Sequence, residues 1–299
     1  MKRISYFLAI AVIICLSAAC SQKKEAQPAE VKTEEAPDPK LVAEGPYEKL
    51  TKAVTDTNLV YVLIEKPQVN LDEFAKDKKG YITLFDGKSL KGWRGYNRDT
   101  IPARWSVDNG ALKFSGKGEG EAQTDDGGDL IFAHKFKNFE LTFDWKVSKS
   151  ANSGIFVLAR EVKGEPIYIS SPEYQILDNA NHPDASQGEK GNRQSASLYD
   201  MIPAVPQNAK PFGNWNTGAI IVFKGSVFYK QNGKTVVEYH LWTPQWTEML
   251  QKSKFSQEKS PLAFDLLNNC GGDGHEGYIG FQDHGDDVWF KNIKLKIMD

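Results

Sequence analysis

Apolar and polar residues alternate with a period of two along most of the chain after residue 80. In "ELTFDWKV", residues 140–147, Leu141, Phe143, Trp145 and Val147 fall on one face, and Glu140, Thr142, Asp144 and Lys146 on the other. That is the spacing of side chains on a strand. "YITLF", "RWSVDNGALKF", "GDLIFA", "SGIFVLA", "EYQILD", "TGAIIVFKGSVFYKQNGKTVVEYHL", "GYIGFQD" and "VWFKNIKLKI" repeat the theme with turn residues between them. Asn109-Gly110 and Asn232-Gly233 sit between such runs, and these pairs suit type I′ hairpin turns, which need positive φ twice. One helix is predicted inside this region. Thr243 caps it, Pro244 fills its first position, and Trp246, Met249 and Leu250 form its apolar stripe. No internal repeat stands out, so propellers and solenoids are disfavoured. An all-β, antiparallel β-sandwich with one or two short helices is the expected fold.

The first 46 residues do not follow this pattern. Lys2 and Arg3 precede an apolar run, Tyr6 to Leu16, that is too short to span a bilayer, and "LSAAC" puts small residues just before Cys20. The arrangement resembles a bacterial lipobox, so residues 1–20 are expected to be a lipoprotein signal with Cys20 lipidated, an ordinary cleaved signal peptide being the competing reading. Residues 21–46 are rich in Glu, Lys, Ala and Pro and read as a disordered tether, because they cannot bury enough apolar surface to offset ordering entropy. Residues 47–79 read as an N-terminal extension, with an apolar patch "NLVYVLIE" and a short helix around "LDEFAKD". Residues 80–299 form the main domain. The expected location is the bacterial cell envelope, held to the membrane through the N-terminal lipid.

The chain has 299 residues, 40% of them hydrophobic, enough for a sizeable core, and a formal net charge of −2. With no clustered Lys and Arg beyond the start, nucleic acid is not an expected partner. Of three Cys, Cys15 leaves with the signal and Cys20 carries lipid. Cys270 then has no partner within the chain, and disulfides do not staple the fold.

The chemistry gathers on the faces away from the core. In "SPEYQILDN", Tyr174 and Ile176 point one way and Glu173 and Gln175 the other. "GFQDHG" opposes Phe281 with Gln282 and His284. Acids, amides and a histidine on several strands suit a groove for a sugar, whose hydroxyls need paired donors and acceptors. A plainly wet sheet face is the competing reading, and for Asp144 in "ELTFDWKV" it is the stronger one. Glu173 differs, since a carboxylate in a crowded central strand needs a partner or a task. Asn152 in "NSG" either bonds its own turn or meets ligand. "DNANHPD" brings Asp178, Asn179, His182 and Asp184 together. Oxygen ligands with His suit several divalent ions, but the spacing matches no ligand signature, and a structural turn is favoured. "NNCGGDGHEG" lacks the second Cys pair that a zinc site needs. No P-loop, G-x-S-x-G or H-E-x-x-H motif is present.

The ordered set "LFDGKSLKGW", "GDLIF", "FELTFDWKVSKSANSGIF", "PEYQILDNANHPD", "SASLYDMIP", "GNWN", "QNGKTVVEY" and "GFQDHGDDVWFKNIKLK" resembles the 3-keto-disaccharide hydrolase domain family. The resemblance implies a concanavalin-A-like jelly-roll sandwich over roughly residues 80 to 299. It also implies glycosides oxidised at C3 as the substrate class. A C3 ketone acidifies the C2 proton, so a base can form an enolate that expels the C1 substituent, and water can add afterwards. Glu173 and His284 are expected to serve as base or acid, with Asp144 and His182 in reserve. Gln175, Gln282 and Asn152 are expected to hold hydroxyls or the enolate, Asp178 to bind substrate, and Tyr199 to supply a phenolic donor or a stacking face. A divalent metal ion at the ketone fits the same chemistry, and its ligands are left open. Competing functions are a non-catalytic carbohydrate-binding module and an ordinary glycosidase acting on unoxidised glycans.

Overall fold

The computed structural model describes residue 43 and residues 45–117 and 126–299. The expected signal with Cys20, and nearly all of the expected tether, lie outside the described residues.

Two antiparallel sheets make the sandwich. In spatial order, the smaller contains β10 (Glu173–Leu177), β9 (Asn152–Ala159), β14 (Gly277–Phe281), β7 (Leu130–Phe136) and β4 (Trp93–Gly95). The larger contains β13 (Lys234–His240), β12 (Ser226–Gln231), β11 (Asn216–Phe223), β8 (Phe139–Val147), β15 (Val288–Ile297), β6 (Ala111–Phe114) and β5 (Trp105–Asp108). A short β3 (Ile82–Thr83) also pairs with β15. Non-consecutive neighbours such as β9–β14 and β8–β15 give the crossed connections of a jelly roll. Both Asn-Gly turns close hairpins as expected, with Asn109 and Gly110 at φ 50° and 78° and Asn232 and Gly233 at 45° and 79°.

The apolar sides of both sheets meet between them. Phe143 of β8 and Tyr174 of β10 touch edge to face across the gap, with ring centroids 5.4 Å apart, an arrangement that aromatic quadrupoles favour. Trp145, Leu141, Ile155, Val157, Ile176 and Phe281 are buried around them. A second, smaller cluster lies on the opposite side of the five-stranded sheet, where Tyr96, Ile131, Phe156, Ile167 and Tyr278 cover part of its outer face.

The predicted helix is α1 (Pro244–Lys252), and the Thr243 side chain accepts from the Trp246 N–H at 3.2 Å. A second helix, α2 (Pro261–Asn268), escapes the period-based reading because Ala263, Phe264, Asp265, Leu266 and Leu267 are all buried, leaving no polar stripe. Its Asp265 accepts from both the backbone N–H and the hydroxyl of Thr55, at 2.6 and 2.7 Å.

In the extension, "NLVYVLIE" contributes strand β2 (Val60–Ile64), paired with β1 (Glu48–Lys52). The helix expected around "LDEFAKD" is one 3₁₀ turn, Leu71–Glu73. Its Asn70 caps it by accepting from the Asp72 N–H at 3.0 Å, and the chain then extends so that Phe74 reaches Phe132. Tertiary packing of one aromatic thus overrides a weak local preference. Backbone bonds from Ile64 to Glu161 (3.0 Å) and from Val69 to Ala133 (2.8 Å) join the extension to the sandwich.

Candidate active site

Strand β10 is an edge strand of the smaller sheet, yet all five of its residues are buried. Its free edge is covered by the chain at 194–199. The Gln175 N–H donates to the Ser197 carbonyl (3.2 Å), and the Ala196 N–H to the Gln175 carbonyl (2.7 Å). Ser195 Oγ bonds both the N–H and the carbonyl of Leu177, at 3.1 and 2.7 Å. This cover satisfies backbone groups that an edge would otherwise expose, and it carries Tyr199 over the strand.

Tyr174 and Ile176 face the core, so Glu173 and Gln175 face outward, as the alternation requires. Residues paired across strands share a face. Glu173 sits opposite Phe156 and Gln175 opposite Gly154 on β9. The glycine matters here: a Cβ at residue 154 would lie 2.3 Å from Glu173 Oε1. Only Gly lets the carboxylate lie flat across its neighbour. Asn152 opens β9, and Gln282 follows β14 directly, its N–H bonded to the Gly154 carbonyl at 2.9 Å.

Beyond Gln282 the chain turns around buried Asp283, whose two oxygens accept from the N–H groups of Gly128 (2.7 Å) and Gly285 (2.9 Å). Burial raises the Asp283 carboxyl above the usual range, while those two backbone donors pull it back. The turn presents His284, whose Nε2 lies 3.1 Å from Asn152 Nδ2.

One hollow results, lined by Asn152, Tyr168, Glu173, Gln175, Tyr199, Lys254, Gln282 and His284. Six of the nine candidate residues converge there, and His182 stands beside it, its ring 6.0 Å from that of His284. Three buried amide atoms in this hollow, Asn152 Oδ1, Gln175 Nε2 and Gln282 Oε1, have no hydrogen-bond partner among the described residues. An unmet buried polar atom costs about 1–3 kcal/mol, so three together form a set that a hydroxylated ligand satisfies. The Tyr199 hydroxyl donates to Asp184 Oδ2 at 2.9 Å, and burial raises its pKa well above the ordinary value. It remains a neutral phenol.

The other two candidates lie elsewhere. Asp144 is on the larger sheet, opposite Thr217 and Lys291, where its Oδ2 accepts from Asn292 Nδ2 at 2.6 Å. It shares no wall with the hollow. Asp178 is buried, but both its oxygens serve the turn. They accept from the backbone of Ser150 (2.9 Å) and Ala180 (3.2 Å) and from Asn181 Nδ2 (2.7 Å). Tyr168 and Lys254 belong to the hollow and were missed, because neither stands in a strand pattern and only folding brings them near β10.

His182, His284 and Asp286 offer ligand atoms within 4.8 Å of one another, a set whose chemistry suits a divalent ion. Asp286 fits: its Oδ2 accepts the Asn152 N–H at 3.0 Å, a bond that would orient a ligating carboxylate. His182 fits less well, because its Nδ1 accepts the Asp184 N–H at 3.1 Å. A neutral ring bonded so carries its proton on Nε2, and ligation through Nε2 would require that cap to break. Desolvation, then the neighbouring His284, lower the His182 pKa, so the ring is held neutral. Cys270 is buried and unpaired, and the His275 ring stacks on Trp242 at 3.6 Å, so the Gly-rich loop holds no zinc pair among the described residues.

Residues 80–296 match the 3-keto-alpha-glucoside-1,2-lyase-like domain. The chain belongs to that family. It is 55% identical, over 308 aligned positions spanning all of both chains, to a 3-keto-disaccharide hydrolase of Bacteroides thetaiotaomicron. It is also similar to two solved structures of Parabacteroides distasonis proteins assigned to the glycosyl hydrolases. One is 27% identical with TM-score 0.63, covering 78% of this chain and 100% of that one. The other is 25% identical with TM-score 0.55, covering 73% of this chain and 99% of that one. The lyase-like domain family thus accounts for the sandwich, the jelly-roll order and the enzyme class.

Proposed function

We propose that this protein cleaves glycosides or disaccharides whose sugar carries a ketone at C3. One observation carries the reading: a carboxylate, an imidazole, a neutral phenol and three carboxamides, brought from several parts of the chain, converge on one hollow, with amide atoms left for a ligand. The same chemistry stands in the name of the B. thetaiotaomicron relative.

The C3 ketone makes the C2 proton acidic. Glu173 takes that proton, and the electron pair spreads onto the C3 oxygen as an enolate. Collapse of the enolate restores the ketone, forms the C1–C2 double bond and breaks the C1–O bond. His284 serves the oxygen at C1, first as acid to the departing group and then as base to the incoming water. As water adds to C1, Glu173 returns the proton to C2, and the net result is hydrolysis. Stopping before the addition gives a lyase product instead. Gln175 Nε2, left without a partner among the described residues, supplies the donor for the enolate oxygen. Asn152 and Gln282 hold hydroxyls, and Tyr199, its proton given to Asp184, offers its ring as a wall. The carboxylate here works on a carbon acid, unlike the paired carboxylates of ordinary glycosidases.

Incubating the protein with a 3-keto-disaccharide and its unoxidised parent tests this reading. Free sugar or an enone from the keto substrate alone supports it. Release from the parent would favour an ordinary glycosidase, and binding without product would favour a sugar-binding module.

The lipobox-like segment supports a second proposal, that Cys20 is lipidated and holds the domain at the cell envelope through the membrane. Replacing Cys20 with Ala should then move the protein from the membrane fraction to the soluble one. Unchanged fractionation would remove the anchor.

A further inference from the structure

The reacting hollow is small, about 30 Å³, but it does not stand alone. Lys254 lines it and also lines a cleft of about 880 Å³. Glu189, Asn192, Gln245, Glu248 and Lys259 stand around that cleft, and Met201 and Met249 are its main apolar surface. Its walls are therefore polar and able to bond hydroxyls in both senses. A hydroxyl-rich group suits them better than an aromatic or lipid-like one.

The partition between the two spaces is cross-linked. Arg193 pairs with Asp184 at 2.9 Å and with Asp200 at 2.8 Å. Asp184 accepts from the Tyr199 hydroxyl, and Asp200 Oδ2 accepts from the Lys254 N–H at 3.0 Å. The Lys254 ammonium lies over three rings, 4.4 Å from the Tyr199 centroid, 4.9 Å from Phe255 and 5.1 Å from Tyr168. Cation–π attraction thus keeps a positive charge at the threshold.

Resting on the 3-keto-glycoside reading above, we infer that the large cleft receives the leaving sugar, and that Lys254 holds the oxygen that departs from C1. When C1–O breaks, that electron pair stays on the oxygen. A fixed ammonium beside it stabilises the developing negative charge before His284 completes the proton transfer. The protein is on this account built for sugar leaving groups, which are poor ones. An oxygen that already leaves as a stable anion gains little from the lysine.

The test compares kcat/KM on a 3-keto-disaccharide and on nitrophenyl 3-keto-glucoside for wild type, Lys254→Met and Lys254→Arg. Met keeps an apolar stem against the rings and removes only the charge. The expected result is a loss of about 100-fold on the disaccharide for Lys254→Met, the scale of one lost charge-stabilising donor. The nitrophenyl substrate should lose less than about 3-fold, since its leaving group needs little help. Lys254→Arg should restore most of the disaccharide rate. Equal losses on both substrates would assign Lys254 a merely structural part and overturn the inference, as would no loss on either. A wild-type protein inert on both substrates would overturn the 3-keto-glycoside reading, and this inference with it.

Discussion

Strands β8 and β10 carry the same kind of polar row on the side away from the core, and the two rows end in opposite environments. On β8, buried and half-buried residues alternate strictly, and Glu140, Thr142, Asp144 and Lys146 remain in contact with water. On β10 every residue is buried, with Glu173 at 7% exposure and Gln175 at 0%. The cause is not in the strands but in what covers them. The chain at 194–199, the turn bearing Tyr168, and Lys254 close over β10. A carboxylate in water costs nothing to keep. A carboxylate under such a cover persists only with partners or a task, and Glu173 shares its hollow with the amides and the imidazole.

The sharpest way to break this contrast is to remove each carboxylate's charge in turn. Glu173→Gln should lower kcat on a 3-keto-disaccharide by about 10³-fold, within the usual range for a lost general base, with an unchanged melting temperature. Activity within a few-fold of wild type would take Glu173 out of the chemistry. Gly154→Ala should come next. The added Cβ meets Glu173 Oε1 at 2.3 Å, and the carboxylate, the end of a flexible side chain, swings aside. A loss of about 10- to 100-fold in kcat is expected with a small stability cost, the displacement of a positioned group by about 1 Å being enough. A collapse of stability with no separate effect on turnover would show that the glycine serves packing alone. Smallest of all, Asp144→Asn should leave kcat/KM within about 2-fold and stability within about 0.5 kcal/mol, as for an ordinary surface change. A larger loss of activity would return Asp144 to the site.

Much of the site was legible because β alternation is local. Glu173 and Gln175 had to share a face once Tyr174 and Ile176 went to the core, and Gln282 and His284 likewise opposed Phe281. Asp178 shows the limit of that reading. Its turn motif was plain, but whether its oxygens met ligand or backbone depended on Ser150, far away in the chain. Lys254 shows the other limit. It follows α1, whose cap and stripe were visible, yet nothing near it in sequence announces that its ammonium will lie among three aromatic rings.

By itself the sequence determined what short-range sterics and hydrophobic periodicity determine: strands, their inward faces, both Asn-Gly hairpins, and the capped helix α1. Only the tertiary structure decided which polar row would be covered and which would stay wet. It also decided that a second helix would be buried on all sides, and that a lysine would stand between two hollows. Those outcomes rest on contacts between segments distant in the chain, where burial changes the cost of a charge, and no local pattern records it.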